Sequence, residues 1–260
     1  MRTIGVVLSG GGARGIAHLG VLEALRESGL QIDAIAGTSS GAIAGVLYAA
    51  GNKPRQILGI LKENSYFGVS RLLFQKEGIF KMAGLKKMLQ QHVFADHFED
   101  LPVKLFVAAT DLSLRRSVIF DSGPLLEPVM ASACVPVIFE PVHFQDTEWV
   151  DGGILNNFPV EPLEKTCDII IGSHVNKLGD EPPGNMTLHK MHILERCFHM
   201  AIAEGVYEKS SRCDLFLDPP ELAQYDLFNI RQADEIFEIG YRHCMKHGKE
   251  LAALFSDMNQ

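Results

Sequence analysis

Ser39 is the residue whose setting most resembles a site of chemistry. It stands at the centre of Gly37-Thr38-Ser39-Ser40-Gly41, after a short apolar run and before a helix pattern of small residues over 42–50. Strand, tight turn, helix is the order that holds a serine on a strained corner with its Oγ exposed. Gly37 and Gly41 allow the two arms of such a turn to approach closely. A Gly/Ser-rich loop joining a strand to a helix has the same composition, so the motif needs company before it means catalysis.

A nucleophilic serine needs a donor set for the oxyanion and an acceptor for its proton. Ser9-Gly10-Gly11-Gly12-Ala13-Arg14-Gly15 follows the apolar run Ile4–Leu8 and precedes an amphipathic helix. Its backbone N–H groups at a helix start suit either of two anions. One is a pyrophosphate: Gly10, Gly12 and Gly15 satisfy G-x-G-x-x-G, and Asp33 lies eighteen residues beyond Gly15 as a ribose partner. The other is the tetrahedral intermediate of an ester. A dinucleotide site has no use for the serine turn, whereas acyl transfer needs both. Arg14 reads equally as a partner for an anionic head group or as a stiffener of its own loop. His18, one turn on, reads as a structural histidine.

Two residues compete as the proton acceptor. A Ser-Asp-His order requires a histidine at a strand top, and His174, after the strand over 168–173, is the one that fits. Asp151-Gly152-Gly153 is the better candidate: an aspartate at a strand end with bulk removed beside it. The competing reading is a D-G hairpin turn, but the residues after it, Ile154 to Pro159, do not resume strand alternation. His189, His192, His199, His243 and His247 fall in helical patterns.

The elements that must position these residues alternate. Strands are expected over 4–8, 32–36, 104–110, 117–120 and 168–173, a hairpin over 142–144 and 148–150, and a short strand over 215–217. Helices are expected after the glycine loop and over 42–50, 54–62, 85–93, 124–133, 188–209 and 231–255. This predicts an α/β fold with a mostly parallel central sheet covered on both faces. The expected organisation is a catalytic core over 1–175 and a mainly helical extension over 176–260 packed on the same domain, with a surface linker over 179–184. Residues 64–82 mix Phe and Leu with Arg71, Lys76 and Lys81, and read either as a lid touching acyl chains or a membrane surface, or as a connection tucked on the core.

Composition narrows the function classes. With 47% apolar residues, 260 residues supply one full core. The net charge of −8 argues against nucleic acid as a partner, while leaving room for a local patch that meets a membrane transiently. Five scattered cysteines without C-x-x-C spacing read as reduced thiols, not a zinc site, and point with the absent signal peptide to the cytoplasm.

Taken together, the glycine loop, the Ser39 turn, Asp151-Gly152-Gly153 and the run Ala131-Ser132-Ala133-Cys134-Val135-Pro136 with Phe139 and Pro141 resemble the patatin-like phospholipase family, and in compactness its small bacterial members. The resemblance covers 4–175 and implies a three-layer sheet sandwiched between helices, distinct from the α/β-hydrolase fold. It also implies a serine lipid acyl hydrolase with Ser39 as nucleophile, Asp151 as base and no catalytic histidine. The oxyanion hole would be the loop Gly10, Gly11, Gly12, Arg14 and Gly15, with N–H donors near Gly11 and Gly12; no metal or cofactor is implied, and the partner is a lipid or ester substrate. Two other functions stay open at this point: a dinucleotide-binding oxidoreductase, and a catalytically silent protein that binds acyl chains or a regulatory partner. Oligomeric state, head group and acyl length are not legible.

Overall fold

The computed structural model describes residues 2–64, 78–136, 138–177, 190–203, 205–227 and 230–256. Eight strands form one sheet: β1 (Ile4–Leu8), β2 (Ala34–Thr38), β3 (Lys104–Asp111), β4 (Arg116–Phe120), β5 (Val142–Phe144), β6 (Thr147–Asp151), β7 (Ile169–Ser173) and β8 (Leu215–Leu217). β3, β2, β1, β7 and β8 are parallel neighbours in that order. β4 and β6 pair with β3 antiparallel, and β5 pairs with β6.

The unbroken apolar runs are explained by cover on both faces. Alternate residues of each central strand enter different cores. Ile4, Val6 and Leu8 of β1 point into the larger core with Ile35, Leu105, Val107, Ile169 and Ile171. Val7 points to the opposite face with Ala34, Ala36, Phe106 and Ile170. Helices α1 (Ile16–Glu27), α2 (Ser40–Ala49), α3 (Pro54–Glu63), α4 (Gly78–His92) and α5 (Leu126–Ser132) contribute to the larger core. The other face is closed by Phe158, Val160, Leu163 of a 3-10 turn, and Val206.

Four expectations shift. The second strand begins two residues later than its apolar pattern predicts, which leaves Asp33 outside it. The helix expected from 85 begins at Gly78. The helix expected over 188–209 is two, α6 (Lys190–Ala203) and α7 (Val206–Ser210), separated at Gly205, whose φ of 76° is left-handed and cannot continue a helix. The helix expected over 231–255 is likewise α8 (Ala233–Lys246) and α9 (Gly248–Ser256), broken at His247. Of the 64–82 stretch, residues 65–77 lie outside the described residues, as does the 179–184 linker.

Described residues beyond 175 pack on this sheet and on α1. β8 extends the sheet beside β7, and α8 lies along α1, the two crossing closely at Gly20 and Gly240.

The pairing of β3 creates the site. One of its edges is taken by β4, which spans Val107 to Asp111. The other is shared: β2 occupies it up to Thr38 opposite Ala108, and β6, running the other way, occupies it from Asp111 back to Ala109 opposite Asp151. Two strands therefore meet end to end along one edge, and the residues at the junction are Thr38 and Asp151.

Candidate active site

Ser39 is the first residue past that junction. Its backbone turns sharply, with φ 53° and ψ −120°, so that α2 can start at Ser40. A non-glycine residue in that region is strained and persists only where its surroundings hold it. Here they do. The Ser39 N–H donates to Ser132 Oγ at 2.9 Å, and the Ser132 hydroxyl donates to Ala108 O at 2.6 Å. Thr38 Oγ1 donates to Asn156 O at 2.9 Å. Gly41 sits where any side chain would run into Leu8 O, so α2 can lie against the end of β1 only with glycine there. Gly37 packs against Gly41 in the same elbow.

The Ser39 Oγ–H donates to Asp151 Oδ2 at 2.6 Å. The other carboxylate oxygen accepts from Gly153 N at 2.7 Å, and Asp151 N donates to Cys134 O at 2.8 Å. Asp151 is 1% exposed. Burial raises its pKa from 3.8 to about 7, against the opposing pull of the Ser39 hydroxyl and the Gly153 N–H. A carboxylate tuned close to neutrality and hydrogen-bonded to a serine hydroxyl can accept that proton without a histidine. Gly152 packs on Ala108 O and Thr38, and Gly153 faces Asp151, Asn157 and Ile202.

The glycine loop opens on the same sheet edge. The Gly10 N–H is held by Asn157, through Oδ1 at 3.1 Å and O at 3.3 Å, and the Ala13 N–H by Leu227 O at 2.7 Å. Gly10 O accepts from Asn176 Nδ2. Among the described residues this leaves Gly11 and Gly12 as the loop's N–H groups without a partner. Gly12 adopts φ 55° with Leu227 O where a Cβ would stand, so no other residue fits. A cavity of about 20 Å³ lies between Gly10, Gly11, Gly12, Ser39 and Asp151, walled by Val135, Asn157, Ile202 and Leu227. That is room for one water-sized group. A larger cavity of about 300 Å³, lined by Val46, Leu89, Gln90, Val93, Asp96 and Val129, lies between α2, α4 and α5 and does not include Ser39 or Asp151.

Not every expected residue comes to this cavity. The buried Arg14 guanidinium donates to Tyr225 O at 2.6 Å and Ala223 O at 3.3 Å, so it stiffens the loop against the C-terminal segment and does not line the cavity. Nor does it act on Asp151, whose pKa is set by burial, Ser39 and Gly153. Gly15 packs on Ser40, behind the loop. His174 is fully buried; its Nδ1 lies 2.9 Å from Asp218 Oδ1, its ring packs beside Phe216 and Tyr207, and it does not line the Ser39 cavity. His18 bridges Ser9 O and Ser173 Oγ, both at 2.8 Å, and burial lowers its pKa to about 4. His143 pairs with Glu148 on the exposed hairpin.

Asp33 removes the support for a dinucleotide. It precedes β2 and accepts from Ile4 N at 2.7 Å, which puts it at the start of β1, the opposite sheet edge from the glycine loop. Three supporting residues were not legible as such. Ser132 lay in a recognised run, but nothing in its spacing assigns it to the Ser39 N–H. Asn157 read equally as a turn residue, and Asn176 carried no signal. Among the described residues no group of three or more His, Cys, Asp or Glu side chains is placed to hold a metal ion.

The fold and the site together define an α/β protein with a serine–aspartate pair at a strand–helix elbow beneath a glycine loop. The chain belongs to the patatin-like phospholipase family, whose model matches residues 6–164. It is 35% identical over 177 residues, 66% of the chain and 49% of the relative, to an uncharacterized NTE family protein of Mycobacterium bovis. It is 30% identical over 199 residues to lysophospholipase NTE1 of Pyricularia oryzae, covering 70% of the chain and 13% of that protein. The chain thus spans about half the length, or less, of the curated relatives it matches. VipD from Legionella pneumophila has a similar fold, with TM-score 0.56 and 17% identity over 94% of the chain and 66% of VipD. No helix among the described residues is long and apolar enough to cross a membrane.

Proposed function

We propose that the protein is a lipid acyl hydrolase that cleaves acyl esters through an acyl-enzyme on Ser39. The observation that carries this reading is the 2.6 Å hydrogen bond from Ser39 Oγ to the buried Asp151 carboxylate. Asp151 takes the hydroxyl proton as Oγ attacks the ester carbonyl. The carbonyl oxygen, becoming an oxyanion, is received by the Gly11 and Gly12 N–H groups, which have no competing partner among the described residues. Asp151 then returns the proton to the leaving alcohol. A water, deprotonated by Asp151, attacks the acyl carbon, the bond to Ser39 Oγ breaks, and Asp151 returns the proton to Oγ as the carboxylic acid leaves. Family membership supports lipid esters as the substrate class, and the apolar walls Val135, Ile202 and Leu227 fit an acyl neighbour.

The test is turnover of a short p-nitrophenyl ester by folded variants. Ser39→Ala and Asp151→Asn lose most of kcat, since neither can complete the proton transfer, whereas His174→Ala and His143→Ala keep substantial activity. A folded His174→Ala as inactive as Asp151→Asn contradicts the dyad, and a fully active Ser39→Ala contradicts the nucleophile.

A further inference from the structure

The turn between β3 and β4, Leu112-Ser113-Leu114-Arg115, stands on the sheet edge that holds the proposed active site. β3 runs parallel to β2, and Thr38 pairs with Ala108, so Asp111 lies three residues further out. At strand rise this carries the turn roughly 10 Å beyond the Ser39 elbow. The β5–β6 turn, at Gln145 and Asp146, lies at the same end.

The turn is built to hold its side chains outward. Asp111, itself buried, accepts from Leu114 N at 2.9 Å and from Thr147 Oγ1 at 3.0 Å, and Leu112 N donates to Glu148 O at 2.9 Å. Arg115 takes the left-handed conformation with φ 54°, which closes the turn. Leu112 is 50% and Leu114 63% exposed, and Arg115 and Arg116 are exposed beside them. Arg116 lies 3.8 Å from Asp111 Oδ2, and Arg115 has no partner among the described residues. A single exposed leucine is ordinary. Two on one rigid turn, followed by two arginines, are the chemistry that meets a bilayer: apolar side chains for the acyl boundary, cations for anionic head groups. The acidic groups around the turn are Asp111 beside Arg116, Glu148, which is paired with His143, and Asp146 on the neighbouring turn. Leu155, just past Asp151-Gly152-Gly153, is also 50% exposed.

We infer that the Leu112–Arg116 turn docks the protein on an anionic lipid surface, presenting the Ser39 edge to the lipids. The inference rests on the lipid-hydrolase reading for its meaning, but its test does not depend on turnover. The Ser39→Ala protein is sedimented with vesicles of phosphatidylcholine alone and of phosphatidylcholine with phosphatidylserine. It binds the anionic vesicles more tightly, and less so as salt is raised. Leu112→Ser with Leu114→Ser lowers the partition at least tenfold. Arg115→Gln with Arg116→Gln lowers it roughly thirtyfold on anionic vesicles and little on neutral ones, taking each cation at its usual value near a charged membrane. In the active chain both double variants hydrolyse a short soluble ester at the wild-type rate and lose activity on vesicle-borne phospholipid. Equal binding to both vesicle types, or turn variants that bind as the parent does, overturns the inference. So does a dimer seen by light scattering and lost in the variants, which would assign the turn to a second copy of the chain. Absence of ester turnover with vesicle binding intact would instead count against the hydrolase reading alone.

Discussion

Asp151 carries two pH signatures that follow from one cause. Burial lifts its pKa to about 7, so as the proposed base it is fully ionised only above that value. For a short ester, kcat/KM should rise with pH and level off with a midpoint near 7; an activity constant from pH 5 to 8 would remove Asp151 from the role. The stability consequence has a definite sign. A carboxyl whose folded pKa is raised contributes stability that is fully present below its unfolded pKa and is lost as pH rises through about 7. The Tm of Asp151→Asn relative to wild type should therefore improve from pH 5 to pH 8. Ser132 offers a separate test. Ser132→Ala strands the buried Ser39 N–H, which should cost about 1–3 kcal/mol in chemical denaturation and lower kcat more than it raises KM, because the strained elbow loses its anchor.

The elements explain why Ser39 and Asp151, so far apart in the chain, are adjacent in space. β2 and β6 run toward each other along one edge of β3 and stop at consecutive register positions, opposite Ala108 and Ala109. That junction was not legible. The apolar run before Ser39, the glycines around it and the D-G-G after a hairpin strand each announced a strand end, because backbone crowding leaves a mark in residue type. Which strand lies beside which is decided by long-range pairing, and residue types in one stretch do not encode it. For the same reason Asp33 suited a ribose in sequence spacing while sitting at the wrong sheet edge. Arg14 illustrates a different limit: its partners are backbone carbonyls of Tyr225 and Ala223, which carry no residue-type signature. His18 fastens the ends of β1 and β7 and stays neutral, its pKa lowered to about 4 by burial. A lowered histidine pKa removes stability as pH falls from about 6.5 through 4. His18→Ala should cost about 2 kcal/mol or more at neutral pH by orphaning Ser9 O and the Ser173 hydroxyl, and its Tm should fall less than that of wild type between pH 6.5 and 4.

For the molecule as a whole, the part beyond residue 175 does structural work at the site. Leu227 walls the Ser39 cavity and accepts from Ala13 N, while Tyr225 and Ala223 hold Arg14. α8 covers α1, the helix that follows the glycine loop, with Ile236, Phe237 and Ile239 in the shared core. Periodicity made these helices visible, but their breaks at Gly205 and His247 were hidden inside continuous helical patterns. Phe237 is 1% exposed with the Arg55 guanidinium over its ring at 4.9 Å. Phe237→Ala should cost about 3–5 kcal/mol in urea unfolding, as large-to-small core changes do, and a loss within experimental error would mean that α8 does not pack as described. The net charge of −8 excludes less than it first implies, because the two cations of the β3–β4 turn are exposed at the edge that matters.

The proposed acyl-enzyme makes the most direct demand on a single atom. The full chain is treated with a fluorophosphonate, which reacts with activated serine hydroxyls, and the adduct is located by peptide mass mapping. One adduct on Ser39 is expected, absent from Ser39→Ala, much slower in Asp151→Asn and unchanged in rate in His174→Ala. Labelling at another residue, or equal labelling of wild type and Asp151→Asn at pH 8, would contradict a nucleophile on Ser39 activated by Asp151.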